Sequence, residues 1–267
     1  MTRLKITVVY DGTDFHGFQR QDGLRTVQGE LEAALSRVFR RAVPVVGASR
    51  TDAGVHAREQ VVHVDADEAM QFPPDKWVYA LNCGLPPDLA VRSAECVGED
   101  FHARFSARWK WYRYSLTMAR PDVFAVRYTA RSFFLLDVEA MRAAARLMVG
   151  TRDFSSFCSS RAQQSDKIRT IHAVDISQKG ERGVIFDIRG NAFLHNMVRI
   201  MVGTLIQVGR GRMPPDAVRS ILDDRDRRRA GPTASAHGLY LWHIEYGNRD
   251  PAAIVSDIDD VWIGAIQ

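Results

Sequence analysis

The sequence predicts an α+β protein built from two ferredoxin-like (RRM-like) α/β units with mostly antiparallel sheets. Three observations lead there. Short β-branched runs alternate with stretches whose apolar residues recur at helical spacing. The first hundred residues read as strand, helix, strand, strand, helix, strand, which is a split βαβ arrangement. A second set of strands and helices begins near Phe105 with a related layout and no evident sequence repeat.

In chain order, Leu4–Tyr10 predicts the first strand. A loop rich in Gly, Asp and aromatic residues follows to Arg25. Thr26 is placed to cap a helix to about Arg41, with Val27, Leu31, Leu35, Val38 and Phe39 on one face. Val43–Val46 and Gln60–Asp65 are strands around a polar loop. Pro73 and Pro74 open a helix through Trp77 and Leu81, and Leu89–Val97 is the next strand. In the second set, Trp109–Met118 and Ser132–Leu136 are strands. Asp137 caps a helix that ends at Gly150, with Met141, Ala144, Ala145 and Met148 inward. Ile168–Gln178 and Val184–Arg189 form a hairpin. Ala192–Gln207 and Pro214–Asp223 are helices, and Gly238–Tyr246 closes as a strand. The expected division is 1–104, 105–246 and an acidic tail, 247–267, with one Arg and four Asp from Gly247 onward.

The chain carries 36 basic and 32 acidic residues, a net charge of +4, and 31 of the 36 basic residues are Arg. Arg suits planar, bidentate contacts to phosphate. Between Phe101 and Arg131, seven Arg or Lys stand against one acid, Asp122. Such an excess fits a polyanion, or a solvated basic face, better than a membrane surface. The most apolar helix is broken by Arg199, Gly203, Thr204 and Gln207, which argues against a membrane span. Met1–Ile6 enters a strand without a signal-peptide run. Cys83, Cys96 and Cys158 are odd in number and scattered, so they fit neither a disulfide framework nor a zinc site. A cytoplasmic protein is expected.

The polar loop between the second and third strands is Gly47-Ala48-Ser49-Arg50-Thr51-Asp52-Ala53-Gly54-Val55-His56. In extended backbone, Arg50 and Asp52 project to one side. A guanidinium there favours the ionised acid, and Gly54 allows a tight turn. An exposed, permanently charged Asp is what a carboxylate nucleophile requires. The same spacing also describes an ordinary surface ion pair. On the helix from Ala192, apolar residues point all ways round, so the helix is expected to be buried. Arg199 is then an interior charge in need of an acid, with Asp187 and Glu139 among the possible partners. Tyr112 and Tyr114 flank Arg113 on a strand, where they serve either as core or as an aromatic platform.

Arg50-Thr51-Asp52-Ala53-Gly54-Val55-His56 resembles the G-R-T-D-A-G-V-H signature of the tRNA pseudouridine synthase A family, with Ser49 where that family usually has Gly. Similar blocks recur in order: Tyr10-Asp11-Gly12, Phe15 to Gln19, Thr26 to Gly29, Leu81-Asn82, Phe101 to Ala107, Tyr112 to Tyr114, Asp153 to Phe157, Phe193 to Arg199 and Gly238 to Leu241.

The resemblance implies conversion of uridine to pseudouridine at positions 38, 39 and 40 of the tRNA anticodon stem-loop. It implies sheets that join around a central RNA-binding cleft, Asp52 as nucleophile, and Arg50 and Arg199 as the cations that hold it ionised. Tyr112 is expected to stack on the target base, Leu239 to pack near it, and Phe18, Gln19 and His56 to lie at the substrate. Arg20, Arg25, Arg104, Arg108 and Lys110 are candidates for phosphates. Trp109 and Trp111 are bulkier than the family usually shows. A homodimer is implied, with no cofactor and no metal, although His56 and His63 could pass for ligands beside Asp52. Two other readings use the same residues. One is a non-catalytic RNA-binding protein of ferredoxin-like fold. The other is a metal-dependent phosphoesterase using Asp52, His56 and His63.

Overall fold

A computed structural model describes residues 2–66, 72–160 and 165–251. The chain folds as two compact units, Met1–Arg108 with Tyr240–Gly247 and Trp109–Leu239 with Asn248–Gln267. The expected boundary near 104 thus lies near 108, and the closing strand returns to the first unit.

The first unit contains β1 (Thr2–Tyr10), α1 (Val27–Phe39), β2 (Val46–Gly47), β3 (His56–Ala66), α2 (Pro74–Asn82), β4 (Leu89–Val97) and β10 (Leu239–Glu245). β1 pairs antiparallel with both β3 and β4, and β2 lies antiparallel on the far side of β3. β10 adds to β3 in parallel through Tyr240 and Leu241. Leu4, Ile6, Val8 and Tyr10 alternate inward along β1, as the period of a half-covered strand requires. Thr26 caps α1 by accepting from the Gly29 N–H at 3.3 Å. Val27, Leu31, Ala34 and Leu35 form its buried face. Pro74 starts α2, whose Trp77 stacks on Phe39 at 5.2 Å.

The second unit contains β5 (Trp109–Thr117), β6 (Ala130–Arg131), α3 (Val138–Arg146), β7 (Gly150–Asp153), β8 (Ile168–Lys179), β9 (Gly183–Gly190), α4 (Met197–Gly209) and α5 (Ala217–Asp224). Its sheet runs β7-β8-β9-β5, antiparallel throughout, with β6 parallel on β5. All nine residues of β5 are buried. Asp137 caps α3 through the Ala140 N–H at 2.9 Å.

Several expected boundaries move. The strand expected over Ser132–Leu136 does not form; a two-residue strand, Ala130–Arg131, lies just before it, and Phe133, Phe134 and Leu135 are exposed. Val43–Val46 forms ladder pairs only from Val46, although Val43 and Val45 are buried. The helix expected from Ala192 starts at Met197, because Asn196 adopts left-handed backbone at φ 62°. Of the expected tail, 252–267 lies outside the described residues.

Candidate active site

The loop that follows β2 is held by three parts of the first unit. Gly47 lies directly under the Phe18 ring; a Cβ there would sit 2.4 Å from a ring carbon. The ladder between β2 and β3 continues to the Ala48 N–H, which donates to the Val61 carbonyl at 2.8 Å. Thr51 is buried; its hydroxyl pairs with the Tyr10 hydroxyl at 2.8 Å, and its carbonyl accepts the Phe18 N–H at 3.0 Å. The chain then turns, with the Val55 N–H donating to the Asp52 carbonyl at 3.1 Å. Gly54 supplies the positive φ, 77°, that this turn needs. Its N–H reaches the Phe15 carbonyl at 3.3 Å. Asp52 is left half-buried at the head of the turn.

The turn follows Asp52, at residues 53 and 54, and residues 50–52 lie before it. Arg50 is exposed, and among the described residues it forms no ion pair with Asp52.

His56 is buried at the start of β3. Its Nδ1 accepts the Gly12 N–H at 3.0 Å and lies 3.1 Å from Asp11 Oδ1. Asp11 Oδ1 also accepts the N–H and hydroxyl of Thr13. The His56 ring stacks on Tyr240 at 4.8 Å. His63 lies seven residues on, past an irregularity between Ala57 and Gln60 that shifts the alternation, so both histidines lie on the face away from Tyr10 and Val8. Its Nδ1 accepts the Ala103 N–H at 3.1 Å. Burial, reinforced by the nearby Arg3 and His102, pushes its pKa down to about 4, so it is neutral at pH 7. Nδ1 of each histidine therefore has a protein partner. Among the described residues no group of three His, Cys, Asp or Glu could hold a metal ion.

The basic residues expected at phosphates differ in availability. Gln19 and Arg20 are exposed, with Arg20 3.1 Å from Glu32. Arg25 is a structural tie: it grips Asp88 with two bonds of 2.7 and 2.8 Å, reaches Glu30 at 3.2 Å and covers the Phe15 ring. Arg104 and Arg108 are exposed, whereas Lys110 is buried on β5.

In the second unit, Tyr112 is buried and meets Phe193 edge-on at 5.0 Å. On the other face of β5, Trp111 lies between the Arg113 and Arg189 guanidinium groups, 5.2 and 5.4 Å from its ring centre. Arg113 binds Asp187 at 2.8 and 3.0 Å, and Trp111 Nε1 donates to the same carboxylate at 2.7 Å. The large Trp111 thus fills a cation–aromatic stack and leaves the Tyr112 face alone. Asp187 belongs to Arg113, and Glu139 is exposed beside Arg142, so neither is the interior partner considered for Arg199. Arg199 is half-buried rather than interior; its Nε donates to the Ala234 carbonyl at 2.8 Å and its Nη1 to Asn196 at 3.0 Å. Leu239 is buried at the start of β10. The residues that sequence reasoning missed are Gln60, Tyr240 and Asp11. Gln60 alone had a local signal, as a polar residue opening an otherwise apolar strand.

The model of a tRNA pseudouridine synthase family matches residues 6–106 and 144–247. The chain belongs to this family. It is 47% identical over 249 residues to a tRNA pseudouridine synthase A of Bacillus subtilis, covering 92% of this chain and all of that one. The enzyme of the same name from Halalkalibacterium halodurans is 50% identical over 241 residues, 90% of each chain. That of Brevibacillus brevis is 48% identical over 247 residues, covering 92% of this chain and all of the relative. No helix among the described residues is long and apolar enough to cross a membrane.

Proposed function

We propose that this protein isomerises uridine to pseudouridine in tRNA, at positions 38, 39 and 40 of the anticodon stem-loop, with Asp52 as the nucleophile. The observation that carries this reading is the Arg50–His56 segment, whose backbone is fixed from three sides while Asp52 stays half-buried at its turn. A carboxylate whose frame is built beforehand needs little reorganisation when charge develops. Family membership supplies the reaction. The N1–C1′ bond breaks, the base turns, a C5–C1′ bond forms, and the proton lost from C5 is balanced by one gained at N1. No oxidant, phosphate donor or cofactor enters that balance. The uridine has to leave its stack first, because neither C1′ nor C6 is open to a side chain within a helix. Asp52 acts either by adding to the nucleoside or by taking a proton from its sugar.

Arg50 and Arg199 keep the catalytic roles that the resemblance implies, and Tyr112 and Leu239 those at the target base. Phe18, Gln19 and His56 frame the loop on the substrate side. Arg20, Arg104 and Arg108 are the exposed or partly exposed cations suited to phosphates. Arg25 supports the fold instead. The order β4-β1-β3-β2, antiparallel throughout, supports a ferredoxin-like first unit. A cytoplasmic homodimer completes the proposal. Mapping pseudouridine in tRNA from a strain lacking the protein tests it: positions 38, 39 and 40 should revert to uridine. Unchanged maps would refute it.

A further inference from the structure

The ladder between β2 and β3 ends abruptly where the catalytic loop begins. Val46 pairs with His63, Gly47 with Val62, and the Ala48 N–H reaches the Val61 carbonyl. The next opposed pair, Ser49 and Gln60, is one that an antiparallel ladder leaves without backbone bonds, and the Gln60 backbone faces Val8 of β1. A side chain supplies a rung there. Gln60 Nε2 donates to the Ser49 carbonyl at 2.6 Å, and Oε1 accepts the Ser49 N–H at 3.3 Å. A primary amide presents one donor and one acceptor side by side, as a strand backbone does. Gln60 is 0% exposed. Its Nε2 also lies 3.5 Å from the Tyr10 hydroxyl, which binds Thr51 Oγ1 at 2.8 Å. The two residues on either side of Arg50 are therefore tied to one buried group, and Asp52 is the next residue along.

We infer that Gln60 is a positioning residue for the reaction: its side-chain amide adds a rung at Ser49 that the backbone ladder does not provide and, through Tyr10 and Thr51, sets where Asp52 stands. This rests on the proposed role of Asp52. The rung uses only the backbone of residue 49, so it serves a Gly and a Ser there equally, which accommodates Ser49 within the family signature.

Gln60→Glu separates positioning from bulk structure. The protonated acid keeps the pattern, with O–H donating to the Ser49 carbonyl and C=O accepting the Ser49 N–H. The ionised acid sets a negative oxygen against that carbonyl and breaks the rung. Burial and this repulsion both raise the pKa of the introduced carboxyl. The measurement is single-turnover tritium release from tRNA labelled at uridine C5, between about pH 5.5 and pH 8.5, with tRNA affinity and Tm for each variant.

The expected result at about pH 8 is a rate reduced roughly tenfold or more, since small displacements of a reacting group are costly. Affinity should stay within about twofold, and the loss should recover as pH falls, relative to the parent. Tyr10→Phe, which removes the hydroxyl that joins Gln60 to Thr51, should lower the rate without lowering affinity. It keeps the test open if Gln60→Glu does not fold. Parental rates and pH profile in Gln60→Glu, or in Tyr10→Phe where that variant alone folds, overturn the inference. So does a loss that follows affinity or Tm and is independent of pH. Asp52→Ala run alongside separates the two readings. If it is active, the role of Asp52 fails. If it is inactive while Gln60→Glu and Tyr10→Phe are parental, only the positioning role fails.

Discussion

Replacing Asp187 by Ala removes the carboxylate shared by three buried donors: Nε and Nη2 of Arg113, at 2.8 and 3.0 Å, and Nε1 of Trp111, at 2.7 Å. Arg113 is only 3% exposed, so water cannot take over the lost bonds. Breaking a buried pair from one side costs about 3–5 kcal/mol, because the remaining charge loses its compensation. For a chain of this size about 1 kcal/mol corresponds to about 2–4 °C of Tm, so the expected drop is about 6–20 °C. Replacing both partners, with Arg113→Met and Asp187→Leu, should cost less than Asp187→Ala alone, since no unmatched charge is left. Urea and thermal unfolding followed by far-ultraviolet circular dichroism measure both. A loss below about 1 kcal/mol for Asp187→Ala, or a double variant as unstable as the sum of its parts, would refute the view that this pair anchors β5 to β9.

Gly47→Ala puts a methyl into the Phe18 ring. The expected cost is about 1–3 kcal/mol of stability, with a fall in kcat larger than any change in tRNA affinity, seen by parallel unfolding and kinetics. His63 and His243 should give opposite pH dependences. The His63 pKa lies near 4 when folded, against about 6.5 when free, so stability should fall by about 3 kcal/mol at most as pH drops from about 6.5 towards 4. In His63→Asn that decline should flatten. Burial acts to lower the His243 pKa, but Glu59 at 2.9 Å and Glu245 at 3.3 Å outweigh it and raise it. Its contribution is therefore complete below about pH 6.5 and lost as pH rises through the raised value. His243→Asn should be less stable at pH 6 and no longer lose stability there on alkaline titration; an unchanged pH curve would contradict the pairing.

What the sequence made legible was local. Thr26 and Asp137 cap helices because a short polar side chain reaches its own third N–H, and both do so here. Leu89–Val97 matches β4 to the residue because its neighbour β1 pairs along the whole run. Apolar composition misled at Ser132–Leu136, where Phe133, Phe134 and Leu135 stay exposed and only Ala130–Arg131 finds a partner. Within the run from Arg225 to Arg229, Arg225, Arg228 and Arg229 pair with Asp153, Asp226 and Asp224, contacts that no local pattern announces. In the loop, the residues around Asp52 could be read, but what holds them could not. Tyr10, Gln60 and Phe18 arrive from far along the chain, and no periodicity links them.

The most direct test is the fate of the C5 proton when Asp52 is changed to Ala or Asn. With parental tRNA affinity, tritium release from labelled uridine should vanish in both variants, while the parent releases it in step with pseudouridine formed. Release at the parental rate from either variant would contradict the claim that this carboxylate carries the reaction.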